Sequence, residues 1–123
     1  MRRVLFLCSR NQWRSPTAEA IYQNDPRVEV RSAGVSASAK RRVNEKLLRW
    51  ADLVVVMEPD HKRRLHSQFP ELAPDLAIEV LGIPDDYAFM DPDLVDLIRD
   101  RTEAILAEPD EPGPQAASDA FQP

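Results

Sequence analysis

The chain of 123 residues is long enough for one domain with its own core, and 43% hydrophobic and 30% charged residues are ordinary for a soluble globular protein. Of its net charge of −5, most collects near the end, where Glu108, Asp110, Glu111 and Asp119 meet no Lys or Arg. The remainder is nearly neutral and lacks the basic field of a nucleic-acid binder; no apolar run spans a membrane, and the lone Cys8 cannot form an internal disulfide. A cytosolic protein with no nucleic-acid or membrane partner is expected.

Val4-Leu5-Phe6-Leu7 is a short continuous apolar run, the pattern of a parallel strand covered on both faces. Past a polar stretch, Ser15-Pro16 marks a helix start, with Ala18, Ile21 and Tyr22 on one stripe. Arg27 to Ser32 alternates around Val28 and Val30, predicting a second strand closed by Ala33-Gly34. Val43, Leu47, Leu48 and Trp50 predict a second helix. Asp52 to Met57 is the clearest buried strand of the chain.

Glu58-Pro59-Asp60 opens a helix that runs to Phe69. His61 and His66 lie on it among Lys62, Arg63 and Arg64, at no metal-ligand spacing, so a solvated face is expected. Ala77 to Leu81 gives a fourth strand, and a loop from Gly82 to Met90 follows. Asp91-Pro92 then caps a last helix carrying Leu94, Leu97, Ile98, Ile105 and Leu106, which makes Asp91 structural. Residues 108–123, acidic and holding four of the 11 prolines, read as a disordered tail behind a catalytic domain of residues 1–107.

Strands alternating with helices predict an α/β sandwich around a parallel sheet. Ligands of such sheets bind beyond the carboxyl ends of the strands. Cys8 ends the first strand and Pro84-Asp85-Asp86-Tyr87 follows the fourth, so both belong to one rim.

The chemistry starts at Cys8-Ser9-Arg10-Asn11-Gln12-Trp13-Arg14-Ser15. Five residues separate Cys8 from Arg14, and a helix begins directly after. Such a loop can wrap a tetrahedral dianion, with backbone N–H groups turned inward and the helix dipole behind them. Arg14 supplies a planar fork for phosphate oxygens, and the same field favours Cys8 as a thiolate. Ser15 can donate a hydrogen bond to that thiolate.

Val4 to Cys8, Asn11, and Arg14-Ser15-Pro16-Thr17-Ala18-Glu19 closely resemble the opening of the low-molecular-weight protein tyrosine phosphatases. Ser32-Ala33-Gly34, the strand ending Val56-Met57 and the Asp85 loop follow in that family's order. The resemblance implies a flavodoxin-like three-layer sandwich with helices on both faces of a four-stranded parallel sheet of order 2-1-3-4. It also implies hydrolysis of a phosphomonoester, in a protein or a small molecule, through a phosphocysteine, with no cofactor and no metal. Cys8 is then the nucleophile, Arg14 the phosphate clamp, Ser15 the thiolate partner and Asn11 the residue that shapes the loop. Asp85 stands where the family has its general acid, with Asp86 in reserve because the expected Pro is replaced there. Ser9, Arg10, Gln12, Trp13 and Tyr87 complete the predicted substrate-binding set.

This chain also departs from the family. Arg10 replaces a usual Gly and Trp13 a usual second Cys, so no neighbouring thiol can trap an oxidised Cys8. Only glycine takes φ > 0 freely, so Arg10 raises a question of loop conformation. Ser9 and Gln12 make the wall more polar, Ala88 stands where relatives often have a second aromatic, and the stretch from Gly34 to Asp52 is short. Phosphate chemistry survives these changes, and tyrosine specificity does not follow from them. Two alternatives remain at this point: an arsenate reductase dependent on an external thiol, and a phosphate-binding module without turnover.

Overall fold

In the computed structural model, which describes residues 1–107, strand and helix alternate along the chain. The order is β1 (Arg2–Cys8), α1 (Arg14–Tyr22), β2 (Val28–Gly34), α2 (Glu45–Trp50), β3 (Leu53–Val56), α3 (Pro59–Gln68), β4 (Ile78–Val80) and α4 (Pro92–Leu106). A short 3-10 turn, Ala73–Asp75, precedes β4. All four strands pair in parallel in the order β2-β1-β3-β4, the flavodoxin-like arrangement expected from the sequence. The tail predicted over residues 108–123 lies outside the described residues. No helix among the described residues is long and apolar enough to cross a membrane.

Side chains of a strand alternate between its two faces, and β1 shows why this sheet is buried on both. Val4, Phe6 and Cys8 join Leu53 and Val55 beneath Ala18 and Tyr22 of α1 and Leu94 and Ile98 of α4. Leu5 and Leu7 join Val54 and Val56 against Leu47 and Leu48 of α2 and Leu65 of α3. The continuous apolar run is therefore two alternating half-cores. Phe6 stacks on Tyr22 at 6.1 Å between ring centroids, fixing α1 over β1. At the start of α4, the Asp91 carboxylate accepts from the Asp93 N–H at 2.9 Å, as the capping reading requires.

Gly34 has a second task at the end of β2. It pairs with Cys8 in the β1–β2 register. A Cβ there would sit 2.5 Å from the Ser9 carbonyl oxygen, 2.6 Å from the Ala39 Cβ and 2.9 Å from the Asn11 nitrogen. Two of these three atoms are backbone of the nucleophile loop, so they cannot swing aside as a flexible side chain could. Gly34→Ala is expected to displace that loop and destabilise the protein by about 1–3 kcal/mol. Urea unfolding measures the loss, and an unchanged midpoint would contradict it.

Candidate active site

The turn after β1 is shaped by where its carbonyls go. Val35 N–H donates to the Cys8 carbonyl at 3.0 Å, Ser36 N–H to that of Ser9 at 2.8 Å, and Lys40 N–H to that of Arg10 at 3.1 Å. In a planar trans peptide the N–H points opposite to the carbonyl. With three carbonyls drawn outward to 35–40, the N–H groups of Ser9, Arg10 and Asn11 face the inside of the turn. Asn11 reverses the chain with φ at 57°, a left-handed conformation that Asn tolerates better than most residues. Arg10 is not among the positive-φ residues, so the family's glycine is dispensable there.

Hydrogen bonds behind the turn hold the nucleophile. Asn11 Nδ2 donates to Ser15 Oγ and to Ser32 Oγ, each at 3.0 Å. Ser32 Oγ in turn donates to Glu19 Oε1 at 2.6 Å. Ser15 Oγ lies 3.0 Å from Cys8 Sγ and, accepting from Asn11, turns its own hydrogen toward the sulfur or the Ala33 carbonyl 3.2 Å away. α1 starts at once behind this network, with Trp13 at its N-cap and no side-chain cap, so its first N–H groups remain available to an anion.

Arg14 is the buried charge of the site, 2% exposed. Its Nη1 donates to Glu58 Oε1 at 2.7 Å and to the Ile83 carbonyl at 2.9 Å. Its Nε is buried without a hydrogen-bond partner, and Asp85 Oδ1 lies 3.7 Å from it. Cys8, Ser9, Arg10, Gln12, Trp13, Arg14 and Asp85 line one hollow of about 110 Å³. Seven predicted site residues thus meet at the expected rim.

The others lie elsewhere. Asn11 and Ser15 are buried supports of the loop and do not line this hollow. Tyr87, expected to form the substrate wall, is half-buried and packs against the core under α1 and α4. Phe89 is the aromatic residue of that loop that faces outward, 52% exposed. It lines an adjacent groove of about 440 Å³ with Gln12, Trp13, Lys40 and Arg41. Asp86 is exposed and outside the hollow.

The acid loop is pinned from three sides. Arg101 Nη1 donates to the carbonyls of Leu81 and Gly82 at 2.8 Å, and the Ile83 N–H donates to the Met57 carbonyl at 2.8 Å. Met90 N–H donates to Thr17 Oγ1 at 2.9 Å, while that hydroxyl donates to the Trp13 carbonyl at 2.6 Å. Thr17 therefore joins the far end of the acid loop to the nucleophile loop. The sequence reading missed Thr17, Glu58 and Arg101, because only tertiary contacts give them these tasks.

His61 corrects the expectation of a solvated face. It is 1% exposed, turned inward at the third position of α3. Its Nδ1 accepts from the Glu58 N–H at 3.1 Å, half of a capping box, and its Nε2 lies 3.0 Å from Ser9 Oγ. Position on the helix decided its exposure, against the basic residues around it. His66, only partly buried, keeps nearer to the expectation.

Burial, and after it the Arg14 guanidinium, push the His61 imidazole down to about 4 from its ordinary 6.5. The unfolded chain then binds more protons in that interval, so stability rises with pH. The contribution is complete above about 6.5 and is lost as pH falls toward about 4. A loss on the order of 2 kcal/mol is expected across this window in the wild type, and a flatter profile in His61→Gln. Urea midpoints measured from pH 7 to 4 test it; parallel profiles would contradict the assignment.

Comparison with known proteins bears on the same features. Residues 3–49 match the sequence profile of the family described as low molecular weight phosphotyrosine protein phosphatase. The solved arginine phosphatase of Geobacillus stearothermophilus is 30% identical, with a TM-score of 0.63, over 86% of this chain and 93% of that one. The chain belongs to the low-molecular-weight protein tyrosine phosphatase family.

The protein-arginine-phosphatases of Geobacillus stearothermophilus and Bacillus subtilis are 36% and 32% identical to it over 93 residues. The matched stretch spans 63% and 62% of their lengths, and 56% and 54% of this chain. A tyrosine phosphatase of this family from Streptococcus pyogenes shares the fold at 17% identity, with a TM-score of 0.72 over 87% of this chain and 92% of that one. Against the family pattern, Trp13 puts a 45%-exposed indole at the edge of the hollow where a second thiol is usual.

Proposed function

We propose that this protein is a cysteine-dependent phosphatase acting on phosphorylated side chains of proteins or on similar small phosphate compounds. The observation that carries the reading is the arrangement of Arg14. A guanidinium held almost out of water by Glu58 and Ile83 keeps an Nε without a hydrogen bond, 3.7 Å from Asp85, beside a hollow that Cys8 and Asp85 also line. A buried donor without an acceptor costs about 1–3 kcal/mol, and a phosphoryl oxygen in that hollow relieves it.

In this mechanism the Cys8 thiolate attacks phosphorus in line with the leaving group. The loop N–H groups and Arg14 hold the equatorial oxygens as charge builds. Asp85, in its protonated form, gives its proton to the departing oxygen or nitrogen. Water then hydrolyses the phosphocysteine, with the ionised Asp85 taking a proton from it and thiolate departing from phosphorus. Ser15 stabilises that thiolate in both steps. An acid placed in the hollow with the nucleophile favours turnover over mere binding.

Phosphoarginine belongs among the substrates to be tried. Similarity to two protein-arginine-phosphatases supports it, and so do the polar Ser9 and Gln12 on the wall. The test is release of inorganic phosphate from 4-nitrophenyl phosphate and from phosphoarginine, with vanadate as inhibitor. Vanadate-sensitive release from either compound is expected. No release from either would overturn the reading.

A further inference from the structure

The hydrogen bond between Ser9 and His61 has a direction that the geometry dictates. A backbone N–H can only donate, and Glu58 N–H points at His61 Nδ1 from 3.1 Å. Nδ1 therefore carries a lone pair, the imidazole is neutral, and its one proton sits on Nε2. Glu58 Oε1, at 3.7 Å, is too far to take that proton in a hydrogen bond. Ser9 Oγ, at 3.0 Å, takes it. The Ser9 hydroxyl is thus an acceptor toward His61, and its own hydrogen is free for something else. Ser9 lines the hollow beside Cys8 and Arg14.

We infer that Ser9 donates its hydroxyl hydrogen to an oxygen of the bound phosphoryl group, and that His61 is the positioning residue that fixes this direction. This deepens the proposed phosphatase function and rests on the same hollow. Glu58 then organises two donors at once. Its carboxylate holds Arg14 Nη1, and its backbone N–H sets the His61 tautomer that orients Ser9. The start of α3 becomes part of the phosphate site without touching phosphate. The polar residue at position 9 is a working donor, and the buried histidine is the reason it points the right way.

The test measures affinity for inorganic phosphate, which needs no turnover, beside kcat/KM for 4-nitrophenyl phosphate. The proteins are the wild type, Ser9→Ala, His61→Ala, the double variant and His61→Gln. Ser9→Ala and His61→Ala are each expected to weaken phosphate binding roughly tenfold, as for one hydrogen bond to a charged group. The double variant loses no more than either single one, since both break the same contact. His61→Gln, whose amide N–H can still reach Ser9, retains more affinity than His61→Ala and covers the case in which the alanine variant fails to fold.

Nitrogen NMR of the resting protein reads the His61 tautomer directly, with the proton expected on Nε2. A proton on Nδ1, unchanged phosphate affinity in Ser9→Ala, or additive losses in the double variant would each overturn the inference. Absence of turnover in a wild type that binds phosphate with this coupling would sink the phosphatase reading alone.

Discussion

Replacing Cys8 with serine is expected to lower phosphate release by at least about 10⁴-fold while the urea midpoint stays near that of the wild type. The chemical step needs a strong nucleophile at the phosphorus, and a serine hydroxyl in the same place is far weaker than a sulfur. Asp85, the carboxylate that lines the hollow, holds the leaving group's proton in this step and so does not serve as a base for the hydroxyl. Ser15 Oγ sits 3.0 Å from the sulfur but already accepts from Asn11, and the His61 proton lies on the side of Ser9. Cys8 is 3% exposed and nearly isosteric with serine, so the core beneath α1 is undisturbed. Phosphate binding should persist, because Arg14 and the loop N–H groups are unchanged. Comparable turnover by the two proteins would remove Cys8 from the mechanism.

Asp85→Asn is expected to cost about 10²–10⁴-fold in kcat, and Asp86→Asn much less. Asp85 shares the hollow with Cys8 and stands 3.7 Å from Arg14 Nε, whereas Asp86 does not line it. At 60% exposure, Asp85 can exchange protons with solvent between the two half-reactions. The loss should also depend on the leaving group. A 4-nitrophenolate departs with little help, and a poorer leaving group needs the proton. In kcat/KM, which reads transfer to Cys8 and not the later hydrolysis, Asp85→Asn should therefore lose more on phenyl phosphate than on 4-nitrophenyl phosphate. An equal effect on both would leave Asp85 outside leaving-group protonation, and a larger loss in Asp86→Asn would move the acid one residue on.

Much of the fold was legible because its signals are local. The run Val4-Leu5-Phe6-Leu7 names a strand buried on both sides, and Asp91-Pro92 names a helix start. Parallel pairing with common crossovers then brings Cys8 and Asp85 to one rim. What stayed illegible depends on contacts between distant residues. Gly34 is needed because Ser9 and Asn11 lie against it, 25 and 23 positions earlier in the chain. Arg14 is held by Glu58, 44 residues away, and by Ile83, 69 away.

His61 was misjudged because its basic neighbours suggest solvent, while its place in the first turn of α3 points it inward. Tyr87 departs from its expected place on the substrate wall for a similar reason. Resemblance to the family's acid loop places Tyr87 on the wall, but the core under α1 and α4 accepts its ring and Phe89, which the sequence did not single out, faces the groove.

The central claim is that phosphorus is transferred to Cys8. Its most direct test is to quench the reaction of Asp85→Asn with 4-nitrophenyl phosphate in acid and map the protein by mass spectrometry. In this variant hydrolysis of the intermediate lacks its base, so the phosphocysteine should accumulate. The mechanism predicts one phosphoryl group on the peptide containing Cys8, and none when Cys8→Ala, which leaves no acceptor atom there, is added to the same protein. Continued release of phosphate from that double variant at the rate of Asp85→Asn would contradict it.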